Sequence, residues 1–118
     1  MKILVIDDFA FMADCVRKYL PNDEIDHHYQ LPDDNSEYDQ YDVLVVDNQG
    51  IGNSKYRCGS DFLKDYCPTR KQLVIYYSGL EPEPVFETIL DTKGFKFFVK
   101  GRDPDGLAKI VEEYRKET

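Results

Sequence analysis

Five polar residues of this chain each close an apolar run. Asp7 and Asp8 follow KILVI, Asp47 follows DVLVV, Ser78 follows QLVIYY and Lys100 follows KFFV. Brought together, three carboxylates would repel one another unless one protonates or a cation joins them. A hard divalent ion such as Mg2+ answers that charge, because it takes oxygen ligands and keeps waters that a phosphoryl oxygen can replace. Lys100 offers a point charge to a second phosphoryl oxygen, and the Ser78 hydroxyl can donate to a third. Asp47 beside the metal is then placed to act as a nucleophile and form an aspartyl phosphate.

Such a site needs a fold that gathers strand ends. Residues 2–6 are branched and apolar, as in a strand buried on both faces. Phe9, Met12, Ala13, Val16 and Leu20 recur at helical spacing up to Pro21, with Asp8 as the expected cap. EIDHHYQ predicts a polar edge strand, and PDDNSEYDQY no more than a short helix. DVLVV is a third strand; its loop NQGIGNSKYRCG leads to a short helix, SDFLKDYC, with Ser60 or Asp61 as cap. QLVIYY is the fourth strand, with Tyr76 and Tyr77 expected on opposite faces. EPEPVFETILDTKG predicts a helix carrying Val85, Phe86, Ile89 and Leu90 on one face and ending at Gly94. After the fifth strand, KFFV, the last helix has Asp103 as N-cap, Pro104 as first residue and a stripe of Leu107, Ile110, Val111 and Tyr114. Five strands alternating with about five helical segments predict an α/β domain with a doubly wound parallel sheet. In such sheets the ligand crevice lies at the carboxyl ends of the strands, where the five polar residues fall.

Composition narrows the class. With 118 residues, 42% of them hydrophobic and 32% charged, the chain is expected to form one domain, residues 1–118. No segment approaches the length of a membrane span, and MKILVIDD lacks a secretory signal, so a cytoplasmic location without membrane insertion is expected. Cys15, Cys58 and Cys67 have neither disulfide nor zinc-site spacing and are expected to be reduced and partly buried. The net charge of −8 is concentrated between Lys18 and Lys55, an interval with nine acids and no Lys or Arg, which argues against direct nucleic-acid binding. His27 and His28 lie on the polar edge strand and are expected to be exposed. GIGN lacks the G-K-[ST] ending of a phosphate-cradling loop.

The stretches ILVIDD, VLVVD, VIYYSG and FFVKG, with separations of 39, 31 and 22 residues along Asp8, Asp47, Ser78 and Lys100, resemble the receiver domain of two-component response regulators over essentially the whole chain. The resemblance implies a flavodoxin-like five-stranded sheet of order 2-1-3-4-5. It implies that Asp47 accepts a phosphoryl group from a histidine kinase or a histidine phosphotransfer protein. Asp7, Asp8, Asp47 and the backbone carbonyl of Gln49 would hold Mg2+, Asp7 mostly through water. Ser78 and Lys100 would hold the phosphoryl oxygens, and Phe97 would couple to Ser78 in switching. The face of the fourth helix, fifth strand and fifth helix would signal to a downstream protein target, with a dimer as a further option.

The chain departs from the family's pattern in places. The glycine-rich loop after Asp47 lacks the usual Met-Pro and looks longer. Gly101 replaces a proline that is usually cis, so a trans bond and some displacement of Lys100 are expected, since a non-proline cis bond costs about 2.5–4 kcal/mol. Gly79 stands where Ala is common, and Phe97 replaces a frequent Tyr. The alternative reading is a phosphorylation-independent pseudo-receiver acting as a protein-protein interaction module. A haloacid-dehalogenase-type phosphatase would need a D-x-D motif at the first strand, where this chain has adjacent acids, and a cap or longer chain.

Overall fold

A computed structural model describes residues 1–101 and 105–118. Its strands are β1 (Lys2–Ile6), β2 (Glu24–His28), β3 (Val43–Asp47), β4 (Leu73–Ser78) and β5 (Lys96–Val99). They form one parallel sheet in the order β2-β1-β3-β4-β5, the flavodoxin-like arrangement that was expected. The helices are α1 (Phe11–Tyr19), α2 (Gly59–Asp65), α3 (Pro84–Lys93) and α4 (Gly106–Glu117). The curtailed segment before β3 is a 3-10 helix, Asn35–Gln40, so α3 and α4 are the fourth and fifth helical segments of the chain.

The inner strands β1, β3 and β4 are continuous apolar runs because helices cover both faces, whereas the edge strands β2 and β5 are only partly buried. On one face Leu4, Ile6, Leu44, Val46, Val74 and Tyr76 pack against Phe62 and Leu63 of α2, Phe86 and Leu90 of α3, and Tyr38 of the 3-10 helix. On the other, Ile3, Val5, Val43, Val45, Ile75 and Tyr77 pack against Met12, Ala13 and Val16 of α1 and Leu107 and Val111 of α4. Tyr76 and Tyr77 therefore do point to opposite faces. Among the described residues no helix is long and apolar enough to cross a membrane.

Several local expectations are corrected. Asp8 does not cap α1; the cap position is Ala10 and has no side-chain hydrogen bond. The Phe9 N–H donates to Asp7 Oδ1 (2.9 Å), a tight turn that delays the helix and leaves Phe9 70% exposed, off the buried stripe. Ser60 and Asp61 lie inside α2, and the Ser60 N–H is capped from outside the helix by Asn48 Oδ1 (3.1 Å). Val85 is exposed, because α3 begins at Pro84 and turns Phe86 and Leu90, four residues apart, toward the sheet. His27 is half-buried, with Nε2 2.8 Å from the Asp7 carbonyl oxygen. Cys15 and Cys58 are half-buried, whereas Cys67 is exposed. Asp103 and Pro104 lie outside the described residues.

The acidic block is partly internal. Asp23 is almost fully buried and binds Arg115 (2.6 Å) and the N-terminal ammonium (2.9 Å). Burial alone would raise Asp23, but these two partners outweigh it and hold the carboxyl below its ordinary range. Asp26 accepts from the Tyr41 hydroxyl (2.7 Å), and Asp42 from the Lys2 N–H (2.8 Å) and Arg70 (3.2 Å).

Candidate functional site

The five polar residues converge as the parallel sheet requires. Asp7 follows β1, Asp47 ends β3, Ser78 ends β4 and Lys100 follows β5. Carboxylate oxygens of Asp7, Asp8 and Asp47 all lie within 4.8 Å of one another. A cavity of about 430 Å3 opens above them, lined by Asp8, Phe9, Asp47, Asn48, Gln49, Ser78, Gly79, Leu80 and Lys100.

Asp7 and Asp47 are 3% and 4% exposed, while Asp8 is partly exposed. Burial pushes the Asp7 carboxyl up to about 6; the Phe9 N–H and the Lys100 ammonium pull it back, while Asp47 and Asp8 add to the rise. Asp47 Oδ1 accepts from the Asn48 N–H (2.8 Å) and from Lys100 Nζ (2.9 Å). Its Oδ2 has no hydrogen bond among the described residues. Among the described residues no buried polar side-chain atom lacks a partner, so this oxygen keeps some accessible surface, and Asp47 lines the cavity. Among the described residues one ammonium meets this group of three acids, and the excess of hard oxygen donors fits a small divalent cation.

Ser78 Oγ accepts a long hydrogen bond from the Leu80 N–H (3.4 Å), its hydroxyl also interacts with the Tyr76 phenol, and the residue lines the cavity beside Asp47 and Lys100. The Lys100 N–H donates to the Ser78 carbonyl (2.7 Å), which extends the β4–β5 ladder past β5. No cis peptide bond occurs among the described residues, and Gly101 takes a positive φ of 88°. Lys100 nevertheless reaches Asp47. Phe97 is 36% exposed and lines a separate cavity of about 600 Å3 with residues of α3 and with Ile110 of α4.

The loop after Asp47, glycine-rich and without Met-Pro, is tied down at several points. Ile51 is fully buried, and its carbonyl accepts from the Leu31 N–H (2.8 Å). Asn53 Oδ1 accepts from the N–H groups of Lys55 and Tyr56, and its Nδ2 donates to the Leu31 carbonyl. Asn53→Ala is expected to cost about 1–3 kcal/mol in urea denaturation, since three backbone groups lose their partner at once. Gly50, at φ 81°, lies where a Cβ would overlap Asp8 Oδ2, so the loop backbone passes directly over the acid cluster. Asn48 and Gly50 had no assigned role in the sequence; a glycine repeat beside an acid was the available signal, and nothing local marked Asn48.

No protein-family model matches the sequence, and no curated protein does. Solved structures do. The BeF3-activated receiver domain of DrrB, an OmpR/PhoB homologue of Thermotoga maritima, is 19% identical over 98% of this chain and 97% of its own, with a TM-score of 0.75. A CheY-like response-regulator receiver protein of Methanospirillum hungatei JF-1 is 16% identical over 98% and 94%, at 0.76. A two-component response regulator of Clostridium difficile is 17% identical over 98% and 96%, also at 0.76. The chain has the receiver-domain fold of response regulators.

Proposed function

We propose that this chain is a receiver that takes a phosphoryl group onto Asp47, from a phosphohistidine of a kinase or phosphotransfer protein. The observation that carries this reading is Asp47 itself: a buried carboxylate at the base of an open cavity, with one oxygen held and the other free. Asn48 and Lys100 hold Oδ1, which orients Oδ2 toward an incoming phosphorus. A new O–P bond forms at Oδ2 while the P–N bond to the imidazole breaks. The bonding pair returns to the ring nitrogen of the donor. Lys100 and the Ser78 hydroxyl then neutralise and bind phosphoryl oxygens. Asp7, Asp8, Asp47 and the Gln49 carbonyl would hold Mg2+, which supplies charge neutralisation for the transferring group. A single domain carrying this site would act on another protein through α3, β5 and α4, where Phe97 lines a cavity beside a partly exposed strand.

Incubation with Mg2+ and acetyl phosphate, followed by intact-mass measurement, is expected to add one phosphoryl group per chain. The gain disappears in Asp47→Asn and when the cation is chelated. An unchanged mass for the native chain sinks the reading in favour of a pseudo-receiver. An adduct that persists in Asp47→Asn, or that survives the treatment that cleaves acyl phosphates, places the phosphate elsewhere.

A further inference from the structure

The register of the sheet sets Asp47, Tyr77 and Phe98 side by side on β3, β4 and β5. Tyr77 is 6% exposed, and its ring lies parallel to Phe98, with centroids 6.3 Å apart and planes at 9°. The Lys100 ammonium sits 4.5 Å from the centroid of the Tyr77 ring while it pairs with Asp47 Oδ1 at 2.9 Å. Behind this row stands Gly106, the first residue of α4, where a Cβ would come within 2.6 Å of Phe98 Cε2. The stack is therefore backed by a helix and has little room to slide.

The Lys100 N–H is tied to the Ser78 carbonyl (2.7 Å), which fixes the backbone at residue 100 but not the end of its long side chain. Gly101 is exposed, adopts φ 88°, and has nothing within 4 Å of the place a Cβ would take. A lysine side chain has many rotamers, so even on a held backbone its ammonium is not fixed at one point. A ring face within reach of the ammonium limits that freedom, because the ring's quadrupole attracts the cation while the carboxylate pairs with it. Burial first, then Asp7 and Asp47, push the Tyr77 phenol upward, so the ring stays neutral. Ser78, two residues after Tyr76, and Phe97, beside Tyr76 in the register, belong by alternation to the other face of the sheet from Tyr77.

We propose that Tyr77 is a positioning residue for phosphoryl acceptance: its ring face seats the Lys100 ammonium beside Asp47, a task that a hydrogen bond to the lysine backbone does not perform. The role in phosphorylation rests on the phosphoacceptor reading; the seat itself rests on geometry alone.

Three variants separate this role from simple core filling: Tyr77→Phe keeps the face, and Tyr77→Leu and Tyr77→Met keep apolar volume without it. The ε-methylene protons of Lys100 are expected to show an upfield ring-current shift in the native chain and in Tyr77→Phe, lost in Tyr77→Leu. With acetyl phosphate and saturating Mg2+, phosphorylation falls about tenfold in Tyr77→Leu and stays within about twofold in Tyr77→Phe. Mg2+ affinity is unchanged in both. Should Tyr77→Leu fail to fold, Tyr77→Met takes its place. A Tyr77→Leu protein that phosphorylates at the native rate overturns the proposal. So does a Tyr77→Phe protein as slow as Tyr77→Leu, or a Lys100 shift that no variant moves. If the native chain takes up no phosphoryl group, the phosphoacceptor reading falls, and the Lys100 shift alone decides whether Tyr77 seats the ammonium.

Discussion

Asp7→Asn is expected to make the cation-free protein more stable and at the same time to weaken its response to Mg2+ at least tenfold. Asp7 is 3% exposed and shares its surroundings with Asp47 and Asp8. An unfolded chain protonates this carboxyl near the ordinary 3.8, whereas the folded chain does so near about 6. The folded state therefore binds the proton more tightly. Stability is greatest below the unfolded value, declines as pH rises through the window from 3.8 to about 6, and stays reduced above it. The penalty at neutral pH is on the order of 2–3 kcal/mol. An asparagine keeps the oxygen that accepts from the Phe9 N–H and removes the charge, so it lifts this penalty. On the proposed reading, Mg2+ is expected to offset the same penalty in the native chain by binding the folded state alone. Denaturant midpoints across pH, with and without Mg2+, measure both effects. A variant no more stable than the native chain at neutral pH, or one that keeps the native slope between pH ~4 and 6, contradicts this account.

Gly59→Ala is expected to lose about 3 kcal/mol or more, enough to leave much of the protein unfolded. A Cβ at residue 59 would overlap the Asp47 carbonyl oxygen and lie 2.9 Å from its carbon. Both are backbone atoms at the end of a central strand, and the Gly59 N–H already donates to the Asn48 carbonyl (2.8 Å). No side chain can swing aside to make room. Relief would require moving α2 or breaking the end of β3, and either displaces Asp47. Gly79→Ala is the matched control, because nothing lies within 4 Å of a Cβ there. It should change stability by no more than about 0.5 kcal/mol. Urea denaturation of the two variants compares them directly; equal stabilities would show that the loop yields where the packing says it cannot.

These expectations mark how far the sequence could be read unaided. β1, β3 and β4 were legible because a strand covered on both faces must be apolar along its length, a signal local to a few residues, while β2 was read as a polar edge strand. The convergence of Asp7, Asp8, Asp47, Ser78 and Lys100 followed from parallelism, which puts every strand's carboxyl end on one edge. The start of α1 and the burial of Val85 were misread because helical spacing extends a pattern past the turn that interrupts it. Asp7's grip on the Phe9 N–H and the entry at Pro84 set those boundaries instead.

What only the tertiary structure decided is the stretch from Asn48 to Gly59 and the two sides of β4. The loop's shape depends on Asn53 and Ile51 meeting residues 31 and 32, some twenty positions away, and on glycines admitting close approach of backbone to Asp8 and Asp47. No local pattern encodes such partners. Likewise, alternation along QLVIYY places Tyr76 and Tyr77 on opposite faces, but it does not say which face carries Lys100. That depends on the register between β4 and β5 and on where the ammonium of residue 100 comes to rest, both properties of the assembled sheet. The sequence determined that a carboxylate ends the central strand; packing across the sheet decided which of its oxygens is held and which faces the cavity.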